Sequence, residues 1–370
     1  MMARRSLIAW TLTAVLLGAA GCAAPLQSEG IGDTARHHDV LGRKFLESKE
    51  LDRAQEEFER AKGLAPSFAP AWEGLGLVAL ARKDFAAAEA NLKTAKAHEW
   101  RYVPAYLGLA QVYMASGELD RARTEAEEAL RLAPKVARVH LVHGQVLLKA
   151  FEFERAERSF SRALALEADN AEARREWDRS VKIRQAAPGT MVGKRIALAD
   201  PITRGEMAAL LATELGIESH LRRRRPELFD PGFRPPGQPA ASPAGPATPG
   251  DVTGHWARNA IELVMRLHLM DAYPDGTFRP DEPVTRAGFA TTLEQVLAVI
   301  VNDSGIKTRY VGQQSPFPDL RSDHFAFNAA IVVTTRGLME AERPSGAFRL
   351  TNPVPGPDAL LAMRKLAELF

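Results

Sequence analysis

"AWEGLGLVALARKDFAAAEANLKTAKA" (residues 71–97) and "AYLGLAQVYMASGELDRARTEAEEALRLAP" (residues 105–134) overlay without a gap. Trp72 falls on Tyr106, Gly76 on Ala110, Ala88 on Ala122 and Ala95 on Ala129. The same step of 34 residues reaches back to Gly42, Ala54 and Ala61, and forward to Gly144, Ala156 and Ala163. A fixed period of that length marks a stacked array of helix-turn-helix units. Small residues recur because side chains at the contact set how closely two helices pack. Phe58, Leu92 and Phe160 recur in the same register and fill the space between. Pro66 and Pro134 each stop a helix, and Lys83-Asp84 and Gly117 sit where the hairpins turn.

These ladders resemble the tetratricopeptide repeat (TPR) pattern of Trp, Leu-Gly, Tyr, Ala, Phe, Ala and Pro. Trp100 and Ala168 stand where the terminal proline would be. The resemblance implies an all-α chain with a TPR α-solenoid over 35–186, made of four helix hairpins and a capping helix. "DNAEARREWDRSVKIRQ" would be that cap, begun by Asn170, with Ala173, Trp177 and Val181 on one face. First helices of TPR hairpins line a concave face. In this chain the face would carry Asp39, Arg43, Leu46, Leu77, Leu80, Leu107, Gln111, Met114, Leu141, Gln145 and Leu148. It is largely apolar and suits a peptide or helix with an apolar stripe. His140 and His143 are three apart on a helix, but metal binding needs further ligands, so a structural role is expected.

"MMARRSLIAWTLTAVLLGAAGCAAP" (residues 1–25) has a basic start, a short apolar run and small residues, the form of a secretory signal. "LLGAAGC" resembles a bacterial lipobox. The resemblance implies cleavage after residue 21, acylation of Cys22 and anchorage of a lipoprotein at the periplasmic face of the outer membrane, with 22–34 as a tether. Cys22 is the one cysteine in the chain, so a disulfide framework and a multi-cysteine zinc site are excluded.

"DVTGHWARNAIELVMRLHLMDAYPDGTFRPDEPVTRAGFATTLEQVLAVI" (residues 251–300) resembles an S-layer homology (SLH) repeat. His255-Trp256, Pro274-Asp275-Gly276, Phe278-Arg279-Pro280 and Thr285-Arg286-Ala287 carry the likeness. Trp256, Ala260, Val264 and Leu267 are expected on one helical face. His268 stands where glycine is usual. "LADPITRGEMAALLATEL" (198–215) repeats only the second half, and residues 317–366 repeat the whole, with Phe325 for the tryptophan and Pro355-Gly356 for Thr-Arg. Three copies imply a mainly helical, pseudo-threefold SLH-like domain over 187–370, interrupted by a Pro-rich insertion at 235–250. By that resemblance Arg204, Arg286 and Trp256 are candidates for binding wall glycan. Arginine would clamp a carboxylate and the aromatic would stack on sugar, unless Trp256 is core. Arg222 to Arg225 could also meet an anionic polymer or headgroup.

The formal net charge is +2, which together with secretion opposes nucleic-acid binding. Phosphate loops, zinc-protease motifs and serine elbows are missing from the sequence, so neither enzyme activity nor a cofactor or metal is expected. The expected function is a tethering scaffold of the cell envelope. Lipid holds the membrane, the TPR groove holds a protein, and the SLH-like end holds cell-wall polymer or peptidoglycan. The alternative is a protein-interaction lipoprotein of a secretion, pilus or polysaccharide-export assembly whose SLH-like end is structural.

Overall fold

The computed structural model describes residues 26–28, 30, 32–229 and 247–369. The signal segment, Cys22 and most of the Pro-rich insertion lie outside the described residues. Described residues form helices and turns with no named strand. Packing divides the chain into two compact units, 1–116 and 117–370.

In the first unit, α1 (Ala35–Glu47) pairs with α2 (Leu51–Leu64), and α3 (Ala69–Ala81) with α4 (Phe85–His98). α5 (Val103–Ser116) packs on α4. The alanine ladder is fully buried at Ala54, Ala61, Ala88 and Ala95. Phe58 and Leu92 explain the glycines. A Cβ added at Gly42 would lie 2.7 Å from the Phe58 ring, and one at Gly76 or Gly108 would lie 2.6 Å from Leu92. Each bulky side chain thus presses on the first helix of its own hairpin and on that of the next. Trp72 donates its Nε1–H to the Pro66 carbonyl at 2.7 Å, and Tyr106 its hydroxyl to the Trp100 carbonyl at 2.6 Å. These bonds tie each first helix to the loop before it and satisfy a carbonyl of that loop.

The second unit opens with α6 (Leu119–Leu132), α7 (Ala137–Lys149), α8 (Phe153–Leu166) and α9 (Ala171–Ala186). Ala122, Ala129, Ala156 and Ala163 continue the buried ladder. Asn170 caps α9 by accepting from the Ala173 amide at 2.9 Å. His140 bonds the Pro134 carbonyl at 2.8 Å, taking the place that Trp72 and Tyr106 hold in earlier copies. The cap's outer face is not left to solvent. α9 packs on α16 (Gly356–Ala367), Lys182 pairs with Asp358 at 2.6 Å, and Arg179 donates to the Leu198 carbonyl. One hydrophobic cluster runs from Leu141 to Leu366. The pattern boundary after Ala186 is therefore crossed by continuous core.

Beyond α9 come α10 (Met191–Ile196), α11 (Arg204–Ala209), α12 (Ile217–Arg224), α13 (Arg258–Arg266), α14 (Arg286–Val301), α15 (Phe327–Thr335) and then α16. α11 continues through a π turn to Glu214. Thr203 forms a full capping box with Glu206, and Thr285 accepts from the Gly288 amide. The copies meet at a ring of three backbone bonds. Ile202 N–H donates to Val354 O at 2.9 Å, Val354 N–H to Val284 O at 3.0 Å, and Val284 N–H to Ile202 O at 2.9 Å. All three residues are buried. The third copy completes the threefold arrangement, and short α10 precedes the half-copy where the sequence offers no first helix.

TPR hairpin turns share a backbone feature. Lys49, Lys83, Gly117 and Phe151, each 34 residues apart, have φ of 62°, 62°, 85° and 61°. That left-handed conformation costs an L-residue about 1 kcal/mol and glycine almost nothing. Lys83, exposed in its turn, is the clean test. Lys83→Gly is expected to raise stability by up to about 1 kcal/mol, read as a higher denaturation midpoint, whereas Lys83→Val should lower it.

Candidate functional site

The junctions between SLH copies hold both candidate arginines. Arg204 leaves the first turn of α11 and crosses to the neighbouring copy. Its Nε donates to the Phe278 carbonyl and its Nη2 to the Asp271 carbonyl, both at 2.9 Å. Its guanidinium lies 4.7 Å from the Tyr273 ring centroid and 4.6 Å from that of Phe278. Arg286 repeats this on the next copy, reaching the Phe348 carbonyl at 2.7 Å and the Glu340 carbonyl at 2.6 Å, over the Phe348 ring. Burial lowers the pKa of both. Each arginine thus binds its own protein first.

Carboxylates complete the hairpins. Asp251 accepts from the amides of Phe278 and Arg279, and Asp319 from those of Phe348 and Arg349. Arg279 and Arg349 have φ of 53° and 57°, so these amides turn inward together. For Asp319, burial pushes the pKa up, but the Arg349 and Phe348 amides outweigh it and hold it low. His268 adopts φ 51° and Gly337 φ 67° at the matching place, which explains the usual glycine.

At the third junction Pro355-Gly356 replaces Thr-Arg. Gly356 N–H donates to the Ala199 carbonyl at 2.9 Å, and an added Cβ would collide with the Ile196 carbonyl. No side chain fits there, so no arginine reaches across. Beside it opens a cavity of about 450 Å³ between α9 and α16, lined by Arg175, Glu176, Arg179, Lys182, Asp200 and Asp358 among others. The junction bearing Arg204 encloses only about 70 Å³, bordered by Tyr273, Glu282 and Thr285. Binding sites for whole small ligands measure roughly 300–1,000 Å³. A charged substituent could enter the smaller space, but a sugar ring could not.

Trp256 is not core. It is 55% exposed and precedes α13, whose buried face is Ile261, Val264 and Met265. The expected helical face beginning at Trp256 is thereby corrected. Phe325 at the equivalent place is 78% exposed. His255 and His324 anchor these aromatics by accepting from the Ala257 and Ala326 amides at 3.2 Å. His255 also packs on Gly205, next to Arg204. The arginine run is largely engaged within the protein. Arg222 pairs with Glu218, and Arg225 bonds Glu227, the Val299 carbonyl and Asn302.

The groove residues separate by burial. Leu77, Leu80, Gln111 and Met114 are half-buried. Leu107, Leu141 and Leu148 are 6%, 2% and 5% exposed, the latter two within the core, and offer little surface. Gln145 donates to Glu172 at 2.9 Å. Asp39 and Arg43, expected on the concave face, belong to an ion cluster in the first unit whose other members, Glu73 and Tyr102, the sequence did not mark. Arg43 bonds Asp39 at 3.0 Å, Glu73 at 2.6 Å and the Tyr102 hydroxyl at 3.4 Å. Burial opposes the Arg43 charge, yet Glu73 and Asp39 raise its pKa. Burial, then Glu73, raises that of Tyr102. The available signal was Glu73 at the register position that Leu107 and Leu141 hold in later copies.

Residues 40–100 and 79–146 match family models described as tetratricopeptide repeat, and residues 250–290 match the S-layer homology domain. The chain carries TPR repeats and a C-terminal SLH domain. Cell surface glycoprotein 1 of Acetivibrio thermocellus is 34% identical over 115 residues, 31% of this chain and 5% of that protein. The cellulosome-anchoring protein of the same organism is 51% identical over 43 residues, 12% of this chain and 10% of that one. The chain thus spans a small fraction of the curated relatives it matches. Among solved structures, a thermophilic TPR protein of Thermus thermophilus shares 26% identity, with a TM-score of 0.37, over 51% of this chain and 96% of that one.

If the Arg286 clamp joins the second and third SLH copies, Arg286→Ala should cost about 2 kcal/mol, the lower part of the range for bonds from a charged donor because the group is half-exposed. Thermal unfolding should show it. Arg286→Lys should recover only part, since an ammonium cannot reproduce the guanidinium fork.

Proposed function

We propose that the protein is a non-catalytic scaffold of the cell envelope. TPR hairpins hold a protein or peptide partner, and the SLH domain attaches to cell-wall glycan or peptidoglycan. The observation that carries the wall half is the closed threefold ring that presents Trp256 and Phe325 outward, beside junctions built on Arg204 and Arg286. An exposed aromatic stacks on a sugar face, while an arginine atom left over at the junction meets an acidic substituent. The relatives named as a cell-surface glycoprotein and a cellulosome-anchoring protein support an envelope location. The candidates for peptide contact are Leu77, Leu80, Leu107, Gln111 and Met114 on the first unit and, taken by themselves, Leu141, Gln145 and Leu148 on the second. The half-buried members make the contact and the buried ones shape it.

A second reading has its own observation. Both motif arginines spend two donors each on backbone carbonyls, as a purely structural SLH domain would. The protein would then serve a secretion, pilus or polysaccharide-export assembly through its repeats alone. Sedimentation of the whole mature chain with isolated wall sacculi separates the two. Binding that falls at least about tenfold in Trp256→Ala plus Phe325→Ala, with the melting temperature unchanged, supports glycan attachment. Binding that is absent, or indifferent to the change, supports the structural reading.

The anchor is proposed at Cys22, on the periplasmic face of the outer membrane. Several acyl chains hold a protein at a bilayer where one is marginal. Cys22→Ser is expected to move the protein from the membrane fraction to the soluble envelope fraction and to abolish labelling by radioactive palmitate. Unchanged fractionation would remove the anchor.

A further inference from the structure

The histidines of α7 have different fates. His140 is accounted for by its bond to Pro134. His143 is only 7% exposed, its Nδ1 lies 3.0 Å from Ser159 Oγ, and its Nε2 is buried without a hydrogen-bond partner among the described residues. Burial is the largest influence on its pKa; Glu127 opposes it, Arg155 and His140 add to it, and the net shift is downward, which favours the neutral ring. A buried polar nitrogen left unpaired is costly, and native proteins rarely leave one without a reason.

Beside that ring lies a cavity of about 200 Å³. Leu130 of α6 and Leu147 of α7 supply apolar wall, and Arg155, Arg158 and Arg162 of α8 supply the charge. Their spacing places all three on one helical face. Arg155 is bonded to Glu152 and lies 3.9 Å from Glu127. Arg158 and Arg162 make no ion pair or hydrogen bond among the described residues. Two guanidinium groups with no ion pair among the described residues thus line the same cavity as the His143 ring.

We propose that this cavity binds a dianionic oxyanion, a phosphate or sulfate group, between Arg158, Arg162 and the Nε2–H of His143. Two free positive charges match a dianion better than a carboxylate or a phosphodiester, each of which carries one negative charge. Guanidinium forks fit tetrahedral oxyanions in paired bonds. His143 needs no extra proton. Ser159 Oγ now lies 3.2 Å from the Arg155 carbonyl; turning its hydroxyl to Nδ1 leaves the ring as the Nε2–H tautomer, which donates to the anion. The leucine walls lower the local dielectric and strengthen those bonds. Free phosphate and a phosphomonoester on a larger molecule offer the same group.

The test is calorimetric titration of the whole chain at constant ionic strength with phosphate, sulfate, glucose 6-phosphate, dimethyl phosphate and acetate, followed by ¹⁵N NMR of the His143 ring. Phosphate and sulfate are expected to saturate, with acetate and dimethyl phosphate at least about tenfold weaker. The His143 Nε2 resonance should move from a bare to a protonated nitrogen. Arg158→Ala with Arg162→Ala, both at exposed positions, should weaken phosphate about tenfold or more without lowering the melting temperature. Tighter binding of glucose 6-phosphate than of phosphate assigns the ester; the reverse assigns the free ion. The proposal is overturned if no anion saturates, if all bind alike and survive the double substitution, an adventitious ion only, or if the ring resonance stays put.

Discussion

Three backbone hydrogen bonds closing on themselves through Ile202, Val284 and Val354 join the second halves of the three SLH copies. Each donor follows a proline, at Pro201, Pro283 and Pro353. Proline fixes its own φ and offers no N–H, so the residue after it is the first in the segment with a donor to give. A valine or isoleucine there fills the axis with branched apolar volume. Once the ring is made, the chain turns into the second helix of each copy, and the early amides of those helices find partners on the adjoining copy. Arg204 and Gly205 donate to Glu282 and Pro280, Arg286 and Ala287 to Asn352 and Leu350, and Gly356 to Ala199. Amides that a helix start leaves open thereby become the seam between copies.

The arginine of the Thr-Arg motif makes sense within that seam. Threonine caps the helix, and the next residue points across the junction, where two hairpin carbonyls and an aromatic ring await it. A guanidinium serves because it can bond both carbonyls and lie over the ring at once. The third copy departs from the motif for a steric reason. Its neighbour is the half-copy, whose loop at Ile196–Ala199 comes so close that only glycine fits. The missing arginine and the missing full first half thus meet at the same junction. α9 lies beside the gap, where Arg179 bonds the Leu198 carbonyl as a motif arginine bonds carbonyls elsewhere, and Lys182 pairs with the Asp358 carboxylate.

Much of this was legible in the residues. The 34-residue ladders located the hairpins, and the Thr-Arg pairs located two helix starts and their caps. What failed to show was whatever depended on tertiary partners. Trp256 reads as part of an apolar helical face by spacing alone, yet the chain is held by His255 in a turn until Arg258, and the indole faces solvent. Leu107, Leu141 and Leu148 share the groove register with Leu77 and Met114, but the spacing does not show that packing leaves them so little exposed surface. The end of the repeat pattern at Ala186 is visible in the sequence. Nothing in the sequence shows that α9 has a second neighbour, since its residues look like a solvated face until α16 is placed beside them.

The two halves also solve one problem by the same means. A repeat protein must dispose of loop carbonyls at every step, and each copy here assigns one polar-tipped side chain to the task. In the TPR copies the position passes from Trp72 to Tyr106 to His140, chemically unlike groups that share a flat apolar body and a single donor. In the SLH copies the same duty falls to Arg204 and Arg286, which must cover two carbonyls and so need a fork. The residue type follows the number of acceptors to be met. That reasoning sets His143 apart: it lies one helical turn beyond His140 and has no carbonyl to serve, so its buried nitrogen must be explained by something other than the repeat.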